Sequence, residues 1–328
     1  MVCSTYRYLG VLISSETELW GHQEDILCQK ALRAQCILRR RCLWGCNRFV
    51  MVRDLWKIVH VTALTFANAV LCLSAPTREW LERRQREVGR IALGCHGAVA
   101  NEAIQGDLGW SSFEAREAVS KIAYRGRLLD MPRERWARRV FDYLSATCMR
   151  TPWVRRLYRI ESKYGLFRSP ISANSPADWI TQARQRVQDE EETRWIRNMA
   201  AKSALAVYRC HKNSIGMVHL YDNSLGSRSL FEARAGALRT LVRLRSINSD
   251  VSDVRCRACG KADENIEHVV LRCEGIGPSA AQGLSLEAAL GFDQTSREDG
   301  ARGIDRAVVA ETKRRLECWR AALADGPQ

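Results

Sequence analysis

Four soft metal donors fall within eighteen residues of this chain: Cys256, Cys259, His268 and Cys273, in the pattern C-x2-C-x8-H-x4-C. No other stretch restricts the local backbone so tightly, because three thiols and one imidazole sharing an ion must converge on a point. The first pair places two sulfurs across a tight turn, and Gly260 relaxes the backbone just after it. Three thiolates and an imidazole suit tetrahedral Zn²⁺, and four protein ligands leave no position for a substrate. The pattern therefore predicts one structural Zn²⁺ per chain. If residues 266–273 are helical, His268 and Cys273 stand five apart, and fraying or a bend must bring both to the metal. The competing reading is three unrelated buried thiols and one hydrogen-bonded histidine. Arg255, Arg257, Lys261 and Arg272 interleave with the ligands, which places cations on the surface of a small metal module where they can contact phosphates. Cys42 and Cys46 lie near Cys36 with no histidine in support and read as core or incidental thiols. Cys210 and His211 are adjacent, so on a helix they point apart.

Elsewhere the apolar pattern is helical and the expected fold class is mainly α. Residues 8–13 form a short apolar run that suits a strand or hairpin edge. Leu19, Ile26, Ala31, Ala34 and Leu38 then recur on one helical face. Further helices are expected over about 52–73, 77–93, 113–129 and 133–144. The helix over 77–93 starts at Thr77 after Pro76, and that over 113–129 is opened by a capping box from Ser111 to Glu114. Residues 151–176, with Pro152, Pro170 and Pro176, read as a boundary. Pro176 then opens another helix, in which the acidic run Asp189 to Glu192 reads as a solvated face. A second capping box, Ser229 to Glu232, points to a helix over 233–245. Val309, Leu316, Trp319 and Leu323 form the apolar stripe of a C-terminal helix, with Lys313 to Arg315 beside it. No repeat of 20 to 50 residues is evident.

The chain carries 51 Lys and Arg against 37 Asp and Glu, a net charge of +14 over 328 residues. A polyanion, nucleic acid or an anionic membrane surface, is the first partner such a balance implies. Arg outnumbers Lys 43 to 8, which suits bidentate phosphate contact, although base composition of a genome produces the same bias. The clusters Arg39, Arg40 and Arg41 and Arg83-Arg84-x-Arg86 and the pairs Arg138-Arg139 and Arg155-Arg156 form a candidate nucleic-acid face or, individually, solvated helix faces. Trp20, Trp44, Trp56, Trp80, Trp110, Trp136 and Trp153 could stack bases, yet at helical spacing they read as core. Most of the thirteen cysteines sit singly among apolar residues, as buried thiols do in a reducing intracellular compartment, nucleus or cytoplasm. Residues 1–8 are polar and show no secretory leader. Residues 58–77 lack formal charge and are long enough to span a bilayer. However, His60, Thr62, Thr65, Asn68, Ser74 and Pro76 interrupt them, so a buried helix is expected and no membrane partner. Phosphate-binding glycine loops, H-E-x-x-H, G-x-S-x-G and any Asp-Asp pair are absent, so no catalytic centre is expected.

The order of these features resembles the C-terminal part of the polyproteins of non-LTR retrotransposons. Tyr8, Leu9, Gly10 and Val11 resemble the tract that follows the reverse-transcriptase palm, where a short hairpin helps to hold the primer. The helices after it, including residues 101–112 (NEAIQGDLGWSS), look like the thumb and post-thumb region of arthropod elements, especially tick transposons. Residues 233–240 followed by the four donors resemble the zinc-knuckle region of the same polyproteins, with a gap of eight before the histidine where the retroviral knuckle has four. The resemblance implies a thumb-like helical region with an N-terminal β-hairpin over 1–145, a linker and helix over 146–228, a helix plus CCHC knuckle over 229–276, and a linker and C-terminal helix over 277–328. It implies primer-grip-like roles for Tyr8, Leu9 and Gly10. It also implies RNA or DNA as partner, together with a palm and fingers whose catalytic Tyr-x-Asp-Asp lies upstream of Tyr8. The expectation is a fragment without polymerase activity of its own. Two further readings stay open: a non-functional transposon fossil, and an accessory part of an RNA-directed DNA polymerase when a palm is joined to it.

Overall fold

The computed structural model describes residues 4–8, 11–14, 21–41, 47–166, 175–281, 283–292 and 304–324. It is mainly α-helical, with one short antiparallel hairpin at the N-terminal end. Strands β1 (Thr5–Tyr8) and β2 (Val11–Ser14) pair Tyr6 with Ile13 and Arg7 with Leu12. The helices are α1 (Gly21–Arg41), α2 (Arg48–Asp54), α3 (Val61–Thr65), α4 (Ala75–Leu93), α5 (Asn101–Leu108), α6 (Phe113–Asp130) and α7 (Trp136–Ala146). They continue with α8 (Pro152–Lys163), α9 (Pro176–Ala200), α10 (Ala206–His211), α11 (Leu225–Arg234), α12 (Leu241–Arg245), α13 (Leu286–Ala289) and α14 (Arg306–Ala324). Two compact units are assembled from interleaved segments. The first contains residues 1–41, 54–87 and 111–194, and the second contains 42–53, 88–110 and 195–328.

In the first unit α6, α8 and α9 share a core of Ala115, Ala118, Ile122, Ile160, Tyr164, Ala183 and Val187. Gly126 lets the Trp179 ring lie against α6, since a Cβ there would meet the indole at 2.1 Å, and the Trp179 indole N–H donates to Ile122 O at 2.8 Å. The start of α6 is held by three acceptors. Ser112 Oγ takes the Ala115 N–H at 3.1 Å, Glu191 takes the Ser112 N–H at 2.6 Å, and Glu82 takes the Phe113 N–H. The cap is thus Ser112 rather than Ser111, and Glu114 turns instead to Lys163 and Arg156.

Several expectations are corrected by tertiary packing. The helix expected over 52–73 runs without a break through the end of α2, a π-helical turn (Leu55–His60) and α3, but it stops at Thr65 and gives way to turns over 66–70. Buried Lys121 and half-buried Trp153 satisfy the carbonyls freed there: Lys121 Nζ donates to Asn68 O and Leu71 O, and Trp153 to Ala69 O. Residues 151–176 are not simply a boundary. Thr151 caps α8 with Pro152 at its first position, where a missing N–H costs nothing. The acidic run is not wholly solvated, because Glu191 is buried on the cap of α6. Among the described residues no helix is long and apolar enough to cross a membrane.

The second unit is organised around Asp107, fully buried near the end of α5. Tyr208 donates to it at 2.7 Å, Tyr221 donates as well, and the Arg234 guanidinium lies at 3.3 Å. Burial, reinforced by the carboxylate, holds both tyrosine hydroxyls well above their usual range. The expected capping box at Ser229 is instead buried in the interior of α11, whose cap is Ser224. Glu232 pairs there with Arg228 and with Arg320 of α14. Gly226 allows α11 and α14 to touch backbone to backbone, since a Cβ would fall 2.2 Å from Lys313 O.

Candidate metal centre

The first two ligands sit on a hairpin. Arg255 and Asp263 form an antiparallel bridge, Cys256 N–H donates to Ala262 O at 2.7 Å, and Gly260 N–H donates to Cys256 O at 2.7 Å. Gly260 has φ +66° with open space around it, so its backbone conformation, not crowding, demands glycine. Gly275 answers a different need: a Cβ there would meet Ala258 O at 2.4 Å, so the segment after Cys273 can lie against the first turn only without one.

The other two ligands come from a π-helical turn (His268–Arg272). Asn265 Oδ1 accepts the His268 N–H at 2.8 Å, and the Cys273 N–H reaches back five residues to His268 O at 2.8 Å. An i to i+5 turn brings residues five apart above one another. This is how the x4 spacing closes on one point, and it takes the place of the expected fraying or bend.

The four donor atoms lie within 4.8 Å of one another. Cys256 Sγ and Cys273 Sγ are 3.6 Å apart, and Cys259 Sγ lies 3.3 Å from His268 Nε2. A tetrahedron with zinc–sulfur bonds of about 2.3 Å has sulfur–sulfur edges of about 3.8 Å, so these edges fit such an ion. Cys256, His268 and Cys273 are buried and Cys259 is partly exposed. The Lys261 backbone N–H, directed at the sulfur, draws the Cys259 thiol down to about 6, with His268 and the two other sulfurs acting the same way against burial. Burial pushes the Cys273 thiol up to about 12, Cys256 and Cys259 add to this, and the Gly275 N–H opposes it. One sulfur is thus ready to ionise and another resists, a resistance that a divalent cation among them removes.

Two residues outside the motif fix this geometry. Glu264, fully buried, accepts the Leu241 N–H at 3.0 Å at the start of α12 and the Arg257 N–H at 3.0 Å between the first two cysteines. Arg315 of α14, only 2% exposed, has no carboxylate partner among the described residues. Its guanidinium donates to Val269 O at 2.9 Å, Ile276 O at 2.6 Å, Pro278 O at 2.7 Å and Cys273 O. Burial lowers its pKa, while the Cys273 and Cys256 sulfurs act in the opposite direction. Sequence reading placed Arg315 in a basic run beside the apolar stripe. Its role depends on loops some forty residues upstream, which no local pattern announces.

All four cations interleaved with the ligands are ion-paired: Arg255 with Asp253, Arg257 with Glu264, Lys261 with Glu274 and Arg272 with Glu267. Arg39, Arg40 and Arg41 form the exposed last turn of α1 in the first unit, whereas the metal ligands belong to the second. Tyr8 ends β1 opposite Val11, while Leu9 and Gly10 lie outside the described residues, as do Cys42 and Cys46. The expectation of generally buried thiols is corrected. Among the described cysteines only Cys256 and Cys273 are buried, and Cys36, Cys148, Cys210 and Cys318 are exposed. Compared with protein-family models, curated proteins and solved structures, the chain matches none.

Proposed function

We propose that this chain is a non-catalytic nucleic-acid-binding protein that holds one structural Zn²⁺, and that it derives from the thumb and zinc-knuckle part of a non-LTR retrotransposon polyprotein. The observation that carries the metal assignment is the Cys256, Cys259, His268 and Cys273 set, three sulfurs and one nitrogen within 4.8 Å of one another, with edges of 3.6 and 3.3 Å that suit a tetrahedral site. Bound zinc supplies a fixed crosslink between the hairpin and the π-helical turn. Zinc with three thiolates and a neutral imidazole carries a net charge of −1, and Arg315 supplies the buried opposite charge. Four protein ligands leave no position for a reacting group, so the role of the ion in this reading is architectural.

Affinity for nucleic acid rests on the positive charge and on the resemblance in feature order. The first unit holds 28 Lys and Arg against 19 Asp and Glu, the second 23 against 18. With the knuckle cations already paired, the helical unit is the better source of phosphate contacts. Its part in the parent polyprotein would be to hold template and primer for a palm and fingers.

Filter binding to single-stranded RNA and DNA over rising salt tests this reading. Affinity should fall steeply with salt, and no binding, or binding indifferent to salt, overturns it. Native mass spectrometry should find one Zn²⁺ per chain, lost in Cys256→Ser. Unchanged loading in that variant removes the metal assignment. Primer extension with Mg²⁺ should be blank.

A further inference from the structure

Helix α7 is amphipathic, yet none of its residues is buried. Trp136, Val140 and Tyr143 are 77%, 51% and 59% exposed. At i, i+4 and i+7 they form one stripe, and Arg139 falls on the same stripe with its guanidinium 5.6 Å from the centre of the Trp136 ring. The opposite side anchors the helix. Arg138 bonds both oxygens of Asp142 at 2.9 Å and Leu128 O at 3.2 Å, and the Phe141 ring stands edge-on to Trp153 at 6.4 Å. The stripe is therefore held outward by contacts of its own helix.

The charges around it differ from those of the metal module. Among the described residues Arg133, Arg135 and Arg139 have no carboxylate partner, whereas each of the four cations at the knuckle has one. The one acid within α7, Asp142, is taken by Arg138 on the other side. Unpaired guanidinium groups call for an anion, and two exposed aromatic faces call for flat rings. Bases of a single strand present such faces; those of a duplex are stacked away. The stripe carries one aliphatic side chain against two aromatic ones and spans about 10.5 Å, which gives little to insert into lipid.

We propose that the outer stripe of α7 is a platform for single-stranded nucleic acid. Trp136 and Tyr143 stack on bases, and Arg133, Arg135 and Arg139 contact phosphates. This deepens the nucleic-acid reading above and rests on it.

The test uses the full-length, zinc-loaded chain and the fluorescence anisotropy of a labelled 20-nucleotide oligouridine. Trp136→Ala should weaken binding about 5- to 100-fold, with Trp136→Phe retaining most of it. Replacing Arg133, Arg135 and Arg139 with Gln should flatten the salt slope by about 2. Because all five side chains are exposed, circular dichroism and the thermal midpoint should stay unchanged. Salt-sensitive binding of the parent chain, equal in a Trp136→Ala/Tyr143→Ala variant, overturns the platform while the broader reading stands. A parent chain that does not bind ends both. Equal affinity for a 20-base-pair duplex overturns the stacking role. Trp136-dependent binding to phosphatidylserine vesicles, not displaced by oligouridine, assigns the stripe to a membrane surface instead.

Discussion

Arg315→Met removes a buried charge without changing the helix that carries it. Four carbonyls receive the guanidinium: Val269, Cys273, Ile276 and Pro278. At about 1.5 to 3 kcal/mol per hydrogen bond from a charged donor, four would total about 6 to 12 kcal/mol. Two effects reduce that figure. A guanidinium buried without a carboxylate costs several kcal/mol to desolvate, a cost the variant avoids. The half-buried Pro278 carbonyl can also turn to water. The carbonyls of Val269, Cys273 and Ile276 belong to buried residues and are left wanting donors, so a net loss of about 3 to 5 kcal/mol is expected. Because Cys273 and the π-helical turn lose their backing, zinc affinity should fall about 10- to 100-fold, as it does when an outer partner of a metal site is removed. Competition with a chromogenic chelator measures the affinity, and urea denaturation measures the stability. Arg315→Lys keeps the charge but not the fork, and should recover less than half of both losses. Zinc affinity and a urea midpoint unchanged in Arg315→Met would refute the argument, since among the described residues no other side chain donates to these carbonyls.

Further predictions concern both units. Burial pushes the Glu82 carboxyl up to about 7, against Arg116 and two backbone N–H groups and together with Glu191. The folded state therefore keeps a proton that the unfolded state has lost. Stability from this group is full below about pH 4.5 and is lost as pH rises through 7, by up to about 3 kcal/mol. Thermal midpoints taken from pH 5.5 to 8 should fall, and Glu82→Gln should flatten the fall; an unchanged slope in the variant would count against it. Gly226→Ala forces α11 from α14 and should cost at least about 2 kcal/mol in chemical denaturation, whereas Gly277→Ala, with open space, should cost little. Asp107→Asn leaves Arg234 buried without a countercharge and should cost about 3 to 5 kcal/mol, read as a drop in urea midpoint.

The donors of the metal site were legible because their chemistry is local: four soft ligands at short spacing need no distant partner to be recognised. The turn that unites them was not. Nothing in His268, Val269, Val270, Leu271 and Arg272 distinguishes a π-helical turn from an α-helical one, and the choice is made by Asn265, Arg315 and the ligand geometry together. The helix start at Pro176 was read well, whereas Thr77 proved not to be a cap, since α4 begins at Ala75 and Ser74 Oγ accepts the Thr77 N–H at 3.3 Å; the same residue types in a helix interior misled as well. Ser229 and Glu232 have the spacing of a cap, but burial against Arg320 outweighs it. Prolines misled in the opposite direction, since Pro152 opens α8 rather than marking a boundary. The cysteines show the limit of counting apolar neighbours. A thiol among apolar residues in sequence can still face solvent on a helix, as Cys36 and Cys210 do.

The interleaved threading of the units governs how this chain can be lost or made. A polypeptide stopped after Arg194 contains every segment of the first unit, yet also carries 42–53 and 88–110 as stretches whose companions were never synthesised. On the ribosome those two segments must wait for more than eighty residues beyond α5 before their neighbours emerge. A premature stop or frameshift anywhere between 42 and 194 damages both units at once. No single cut yields two self-sufficient pieces, although a stop after Arg194 leaves the segments of the first unit complete.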